Sequence, residues 1–221
     1  MLMLAANLIS YAVPPLRASD SGEKALNWMS DFHVRHLPIV EDRQLLGILS
    51  EDELLNFNAP EESILENEPI LLHKSVEPGQ HLFEVMKLIV DTNLTVVPVL
   101  DQEQNYLGLI TLENLLRHFA ETGAISHPGG MLLIRMPARD YSLAEIARLI
   151  EGENCKILSC FISSAPTDAH LELTLKLSRQ DLKHVVATLE RFGYEVESFY
   201  ESEYLDDLRD RYEGLMRYLN M

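Results

Sequence analysis

Histidine, cysteine and carboxylate side chains carry most acid–base, metal and nucleophilic chemistry, and their spacing in this chain sets narrow limits. There are eight histidines and two cysteines. His33 and His36 are three apart, but they straddle a junction between a helix-like and a strand-like segment, so no common face is defined. No H-E-x-x-H, no C-x-x-C and no zinc-ligand spacing occurs. Cys155 and Cys160, five apart on a strand-like run, point to opposite faces and read as small core hydrophobes in a reducing compartment. A nucleophile elbow, a Walker glycine loop and a dinucleotide fingerprint are all missing from the sequence. With 35 acidic residues, carboxylate pairs arise everywhere and single out no site. Trp28, the sole tryptophan, reads as core packing or a domain contact. The expectation is a protein that is not an enzyme, holds no metal and requires no cofactor.

Composition narrows the partners. The 221 residues suffice for one large domain or two to three small ones, and 47% apolar content is that of a globular chain. Eighteen basic against 35 acidic residues give a net charge of −17. Neutralising a nucleic-acid backbone or an anionic membrane needs a clustered positive face, so neither partner is expected. Residues 1–13 are apolar but lack a basic leader and run into Pro14-Pro15, too short for a membrane span. A cytoplasmic protein is expected.

The elements that must position any site come from an internal repeat. Val34-Arg35-His36-Leu37-Pro38-Ile39-Val40 leads to Leu46-Gly47-Ile48-Leu49-Ser50. Sixty residues on, Leu94-Thr95-Val96-Val97-Pro98-Val99-Leu100 leads to Leu107-Gly108-Leu109-Ile110-Thr111, with one inserted residue in the intervening turn. A period this long, present twice, marks a duplicated module rather than a solenoid. Each copy reads as strand–helix–strand–strand–helix. The first helix carries Ala25, Leu26, Met29 and Phe32, with Asp20 and Glu23 as its capping pair, and its counterpart carries Leu82, Val85, Met86 and Ile89. The closing helices are predicted over about 50–57 and 111–119.

This pattern, an apolar–Pro–apolar strand, an acidic turn and Gly-h-h-[Ser/Thr], resembles the cystathionine-β-synthase-type (CBS) domain, present as a tandem pair with copies at 1–58 and 59–122. The resemblance implies an intramolecular pseudo-dimer whose two clefts hold adenosine-containing effectors such as AMP, ADP, ATP or S-adenosylmethionine. In the family's Gly-h-h-Thr-x-x-Asp motif the hydroxyl meets ribose or phosphate and the acid holds the ribose diol. Carried over residue by residue, it marks Ser50 and Glu53 in one copy, and Thr111 and Asn114 in the other. His36, Leu37, Pro38, Thr95, Val97 and Pro98 are expected to line the clefts. Asn114 replaces the acid, and Glu51, Asp52 and Glu53 repel polyphosphate, so a ligand of low charge is favoured over ATP.

After residue 120 a different module begins. His127-Pro128-Gly129-Gly130 reads as a linker. Strands follow at 131–136, 156–163, 171–177 and 194–200. Helices are predicted after Ser142 and after Ser178 as caps, with Ala165-Pro166-Thr167-Asp168 as a turn. The β-α-β-β-α-β order is the ferredoxin-like split unit. In size and order, 130–202 resembles the ACT domain, an amino-acid-sensing module, which implies a site at the first strand–helix turn. Asp140 fits that turn, although the family's Pro-Gly pair is missing. Residues 203–221 read as an amphipathic helix with Leu205, Leu208, Tyr212, Leu215, Met216 and Leu219 on one stripe. That stripe packs on its own domain, on a dimer partner or on another protein.

The fold class expected is therefore α/β (α+β), a tandem CBS pair followed by an ACT-like domain and a tail helix. The combination resembles bacterial acetoin utilisation accessory proteins. It implies a regulatory homodimer that senses an adenosine ligand and acts on a further protein. The alternatives are a ligand-free dimerisation or interaction scaffold acting through the ACT-like domain and tail helix, and an amino-acid sensor.

Overall fold

The computed structural model describes residues 3–121, 123–163 and 169–199. The expected tail helix and the 165–168 turn lie outside the described residues. The chain divides into two compact units, Met1–Phe119 and Ala120–Met221.

In the first unit the repeat is visible in every element. Helix α1 (Gly22–Asp31) leads to strands β1 (His36–Glu41) and β2 (Gln44–Ser50) and the single turn α2 (Glu51–Leu54). Helix α3 (Leu82–Thr92), β3 (Val96–Leu100), β4 (Tyr106–Thr111) and α4 (Leu112–Ala120) repeat the order. Each strand pair is antiparallel, and each has a register shift at the equivalent place, Ile39/Val40 and Val99/Leu100. The leading strand of each copy is reduced to a bridge. Leu16 pairs parallel to Ile39, and Val76 to Val99. The prolines fit because their carbonyls accept from those bridges: Leu16 N–H donates to Pro38 O (2.8 Å) and Val76 N–H to Pro98 O (3.0 Å).

Several caps differ from expectation. Asp20 is not the N-cap of α1; Ser21 is, its hydroxyl accepting from Lys24 N–H at 3.2 Å. Asp20 instead accepts from Arg17 N–H and pairs with Lys24. His81 caps α3 in a reciprocal box with Glu84. The closing helix of copy one stops at Leu54 rather than Phe57. Asn56 turns its side-chain amide onto Asp52 O, competing with the helical ladder, whereas α4 has Arg117 at the equivalent position and runs on to Ala120.

The leading segments are exchanged between the copies. Residues 3–10 pack on copy two: Leu82 N–H donates to Met3 O, Ala5 N–H to Gln80 O and Ser10 N–H to Leu109 O. Ala5 and Leu8 are buried in one core with Val76, Leu82, Val85, Ile89, Val97, Ile110 and Leu115. Reciprocally, Ile64 is buried with Leu16, Ala25, Met29, Leu37 and Leu49, and Leu72 exchanges both backbone bonds with Ile48.

Residues at equivalent positions of the two copies touch each other. Arg35 N–H donates to Thr95 Oγ1 (2.9 Å), and Gln44 bridges Asn105. Like meets like only about a two-fold axis, so the copies form an isologous pair. Val96 and Leu109 reach across into the copy-one core.

The second unit opens with a short helix, α5 (Gly123–Ser126), just before the expected linker. It continues β5 (Met131–Pro137), α6 (Leu143–Gly152), β6 (Ile157–Ile162), β7 (His170–Leu177), α7 (Lys183–Arg191) and β8 (Glu195–Phe199). The sheet order β6-β7-β5-β8 is antiparallel throughout, the split β-α-β arrangement the sequence predicts. Leu171, Leu173, Leu175 and Leu177 face the core with Leu132, Ile134, Ile146, Ile150, Val185 and Leu189. Ser178 does not cap α7. Its hydroxyl accepts from Lys156 N–H (3.0 Å), and α7 starts after Leu182 without a side-chain cap. The Pro-Gly-Gly segment is also no free linker, since Gly130 is bonded to both Arg179 and Leu177. Cys155 is buried and Cys160 half-buried, both as free thiols.

Candidate functional site

Copy two ends its hairpin at Thr111, whose hydroxyl accepts from Asn114 N–H at 3.0 Å and so starts α4. Leu112 N–H is taken by Thr95 O (3.1 Å), which ties the helix start to β3. This turn forms the floor of a cavity of about 630 Å³. Its walls come from three places. Asn114, Glu113 and Arg117 project from α4, Asp31 to Val34 close α1, and Ser10, Ala12 and Val13 belong to the exchanged leading segment. The volume lies in the range of small-molecule sites. Thr111 is nearly buried, at 8% exposure. Among the described residues nothing bonds the side-chain amide of Asn114, so it is free to meet a ligand. His33 reaches the cavity because it adopts left-handed geometry (φ 54°) after α1. The charged lining is Asp31 and Glu113 against Arg117, which pairs with Glu113.

Of the ten residues expected in the clefts, Thr95, Thr111 and Asn114 line this cavity. The other seven do not. Leu37 and Val97 are fully buried core residues. Pro38 and Pro98 are buried against the leading strands. Ser50 caps α2, accepting from Glu53 N–H. Glu53 accepts from Ile70 N–H at 2.9 Å. Around them, Arg35, the counterpart of Thr95, reaches Glu51 (2.8 Å) and Asp52 (2.9 Å). At the position equivalent to Thr95, copy one thus carries an exposed ion pair between Arg35 and the first turn of α2. Asp140 lies elsewhere, exposed on a 3-10 turn and 3.5 Å from Arg139.

His36 lies behind the cavity. Thr95 N–H donates to its Nδ1 (3.3 Å), and the Thr95 hydroxyl is 3.1 Å from the same atom. Nδ1 is therefore the acceptor, and the neutral ring carries its proton on Nε2. Burial, aided by the Arg35 charge, lowers the His36 pKa below its ordinary value. The unfolded chain then binds the proton more readily than the folded one. This contribution to stability is present above about pH 6.5, the ordinary histidine value, and is lost as pH falls through the folded pKa. Melting curves from pH 8 to 5 are expected to show that loss, and His36→Asn, which keeps an acceptor but does not titrate, is expected to reduce it.

Among the described residues no group of three or more His, Cys, Asp or Glu is placed to hold a metal ion. Among them, too, no helix is long and apolar enough to cross a membrane. Sequence reasoning missed the wall supplied by residues 10–13. It gives no motif, because the segment is placed by the exchange between copies.

Comparison with known proteins identifies the repeat. Residues 5–59 and 64–121 each match the CBS domain model, together just over half of the chain. The fold is similar to that of a Vibrio cholerae protein named for acetoin utilization (AcuB), at 23% identity over 58% of this chain and 100% of that one, with a TM-score of 0.50. It is also similar to a CBS domain pair/ACT domain protein from Thermotoga maritima (17% identity, 54% of this chain, 98% of that one, TM-score 0.47). A third is CBSX2, a CBS-pair protein of Arabidopsis thaliana, solved in complex with AMP (19% identity, 53% and 96%, TM-score 0.46). These likenesses concern the fold. The two family matches are at the repeats that build the cavity, and the chain belongs to the CBS-domain family.

Proposed function

We propose that this protein is a non-enzymatic regulator that binds one adenosine-containing ligand per chain, in the copy-two cleft. The observation that carries the reading is the cavity of about 630 Å³ floored by Thr111 and Asn114, the two positions at which the family resemblance places the hydroxyl and the ribose-binding acid. A ligand of low charge, AMP or S-adenosylmethionine rather than ATP, suits a lining of two carboxylates and one guanidinium. Ligand binding regulates only if one arrangement of the chain is bound better than another, and a homodimer joined through the ACT-like unit is the arrangement proposed to respond. A ligand that binds the native state alone raises the melting temperature. Thermal melts with AMP, ADP, ATP and S-adenosylmethionine test this. A shift with an adenosine ligand supports it, and a flat panel removes it.

A second reading, an interaction scaffold, is favoured by large apolar side chains left in water on the first unit, among them Tyr11 (81% exposed), Ile70 (76%), Val90 (73%) and Leu55 (70%). A flat panel together with a stably co-purifying protein supports that reading. An amino-acid sensor acting at Asp140 is tested by adding amino acids to the same panel.

A further inference from the structure

We propose that His36 is a positioning residue of the copy-two cleft, acting through Thr95, and that a proton on its Nδ1 weakens ligand binding there. The inference rests on the cleft reading above and adds to it a control that no ligand contact supplies.

The geometry is a short relay across the seam between the copies. At one end, His36 Nδ1 receives Thr95 N–H at 3.3 Å and faces the Thr95 hydroxyl at 3.1 Å. That hydroxyl also accepts from Arg35 N–H at 2.9 Å, so its own proton is directed to the imidazole. At the other end, Thr95 O holds Leu112 N–H, the first helical residue after Thr111. Thr95 itself lines the cavity. One threonine is thus bonded forward to the turn that carries Thr111 and Asn114 and backward to a titratable ring.

Protonation reverses the sense of the rear contact. Imidazolium has no acceptor nitrogen, so the Thr95 N–H loses its partner and the hydroxyl must turn. Positive charge from Arg35, the residue just before β1, opposes the proton, while Glu51 and Asp52 on α2 favour it. Ser50, opposite His36 across the hairpin, brings no charge. Burial of the ring and the Arg35 charge outweigh the two carboxylates, so the ring of the folded protein is neutral at neutral pH. Copy one has no such relay at the equivalent place, because His36 corresponds to Val96 and Thr95 to Arg35.

The test is AMP binding by calorimetry on the full chain near pH 7.5 and at a pH below the titration midpoint of the His36 ring, located by nitrogen NMR, for the native protein, His36→Asn and His36→Phe. The native protein is expected to lose on the order of ten-fold in affinity at the lower pH relative to His36→Asn, as one or two hydrogen bonds are lost. AMP's own phosphate titrates equally for both proteins and cancels in that ratio. His36→Phe, which has no acceptor, is expected to bind weakly at both values. An equal loss in the native protein and His36→Asn overturns the positioning role and leaves the cleft reading intact. No heat with AMP at either pH overturns the cleft reading and, with it, this role. Should the variants fail to fold, nitrogen NMR of the native His36 ring decides. Because linkage is reciprocal, bound AMP is expected to lower the pKa of the ring further, and a pKa unmoved by saturating AMP overturns the proposal.

Discussion

Replacing Asn114 by aspartate is expected to tighten binding of an adenosine ligand by about ten- to a hundred-fold. Asn114 lines the cavity three residues after Thr111, and its side-chain amide offers one neutral acceptor. A carboxylate there offers two ionised oxygens to a vicinal diol, and a hydrogen bond to a charged group is worth about 1.5–3 kcal/mol. Little else changes. The helix cap runs from Asn114 N–H to the Thr111 hydroxyl and uses only the backbone of residue 114. Extra negative charge in the first helical turn suits the helix dipole. The added charge beside Glu113 and Asp31 works against polyphosphates, so the gain is expected to be larger for adenosine and S-adenosylmethionine than for ATP. Calorimetry of the variant against the native chain reads the effect. Equal affinities would mean that residue 114 does not meet the ribose.

The second large effect is on stability. Leu8→Ala is expected to cost about 2–5 kcal/mol, the range for emptying a buried leucine site. Leu8 is 2% exposed and packs among Val76, Leu82, Val85 and Ile110, all nearly seventy or more residues away in sequence. Tyr11→Ala, three positions on at 81% exposure, is expected to stay within about 0.5 kcal/mol. Gly108→Ala probes the same contact from the other side. A Cβ on Gly108 would lie 2.5 Å from Ile9 Cγ2, on a backbone with φ +150° that L-residues avoid. Chemical denaturation of the three variants checks the exchange. Because Ser10, Ala12 and Val13 wall the cavity, Leu8→Ala is also expected to weaken ligand binding. If the leading segment packed on copy one instead, Gly108→Ala would leave Leu8 and its neighbours undisturbed.

Much of this architecture can be read from the residues alone. The repeat is legible because apolar runs around Pro38 and Pro98, and glycines at 47 and 108, recur in register, and strand burial demands that pattern. The helix starts at Ser50 and Thr111 are legible too, whereas the cap expected at Ser178 is not one. The exchange of leading segments is not. Residues near 4–9 and 64–72 are both apolar and irregular, and either could fill either core by composition; chain connectivity about the two-fold axis decides. The asymmetry of the clefts is hidden for a related reason. Glu53 looks like the better ribose acid of the two candidates, yet one of its oxygens accepts from Ile70 N–H, a backbone group no sequence pattern marks. Arg35 in place of Thr95 is one of many differences within the repeat, and its reach to Glu51 and Asp52 becomes apparent only when α2 starts beside it. His36 was legible as a residue near the cleft, but its partner lies 59 positions away in the other copy.

The central claim, one ligand cleft per chain and that one in copy two, is tested most directly by the stoichiometry of AMP binding measured by calorimetry. The account predicts one equivalent per chain, with affinity lowered by Asn114→Ala and unchanged by Glu53→Gln. Two equivalents per chain, a loss on Glu53→Gln with Asn114→Ala silent, or no binding at all would contradict it.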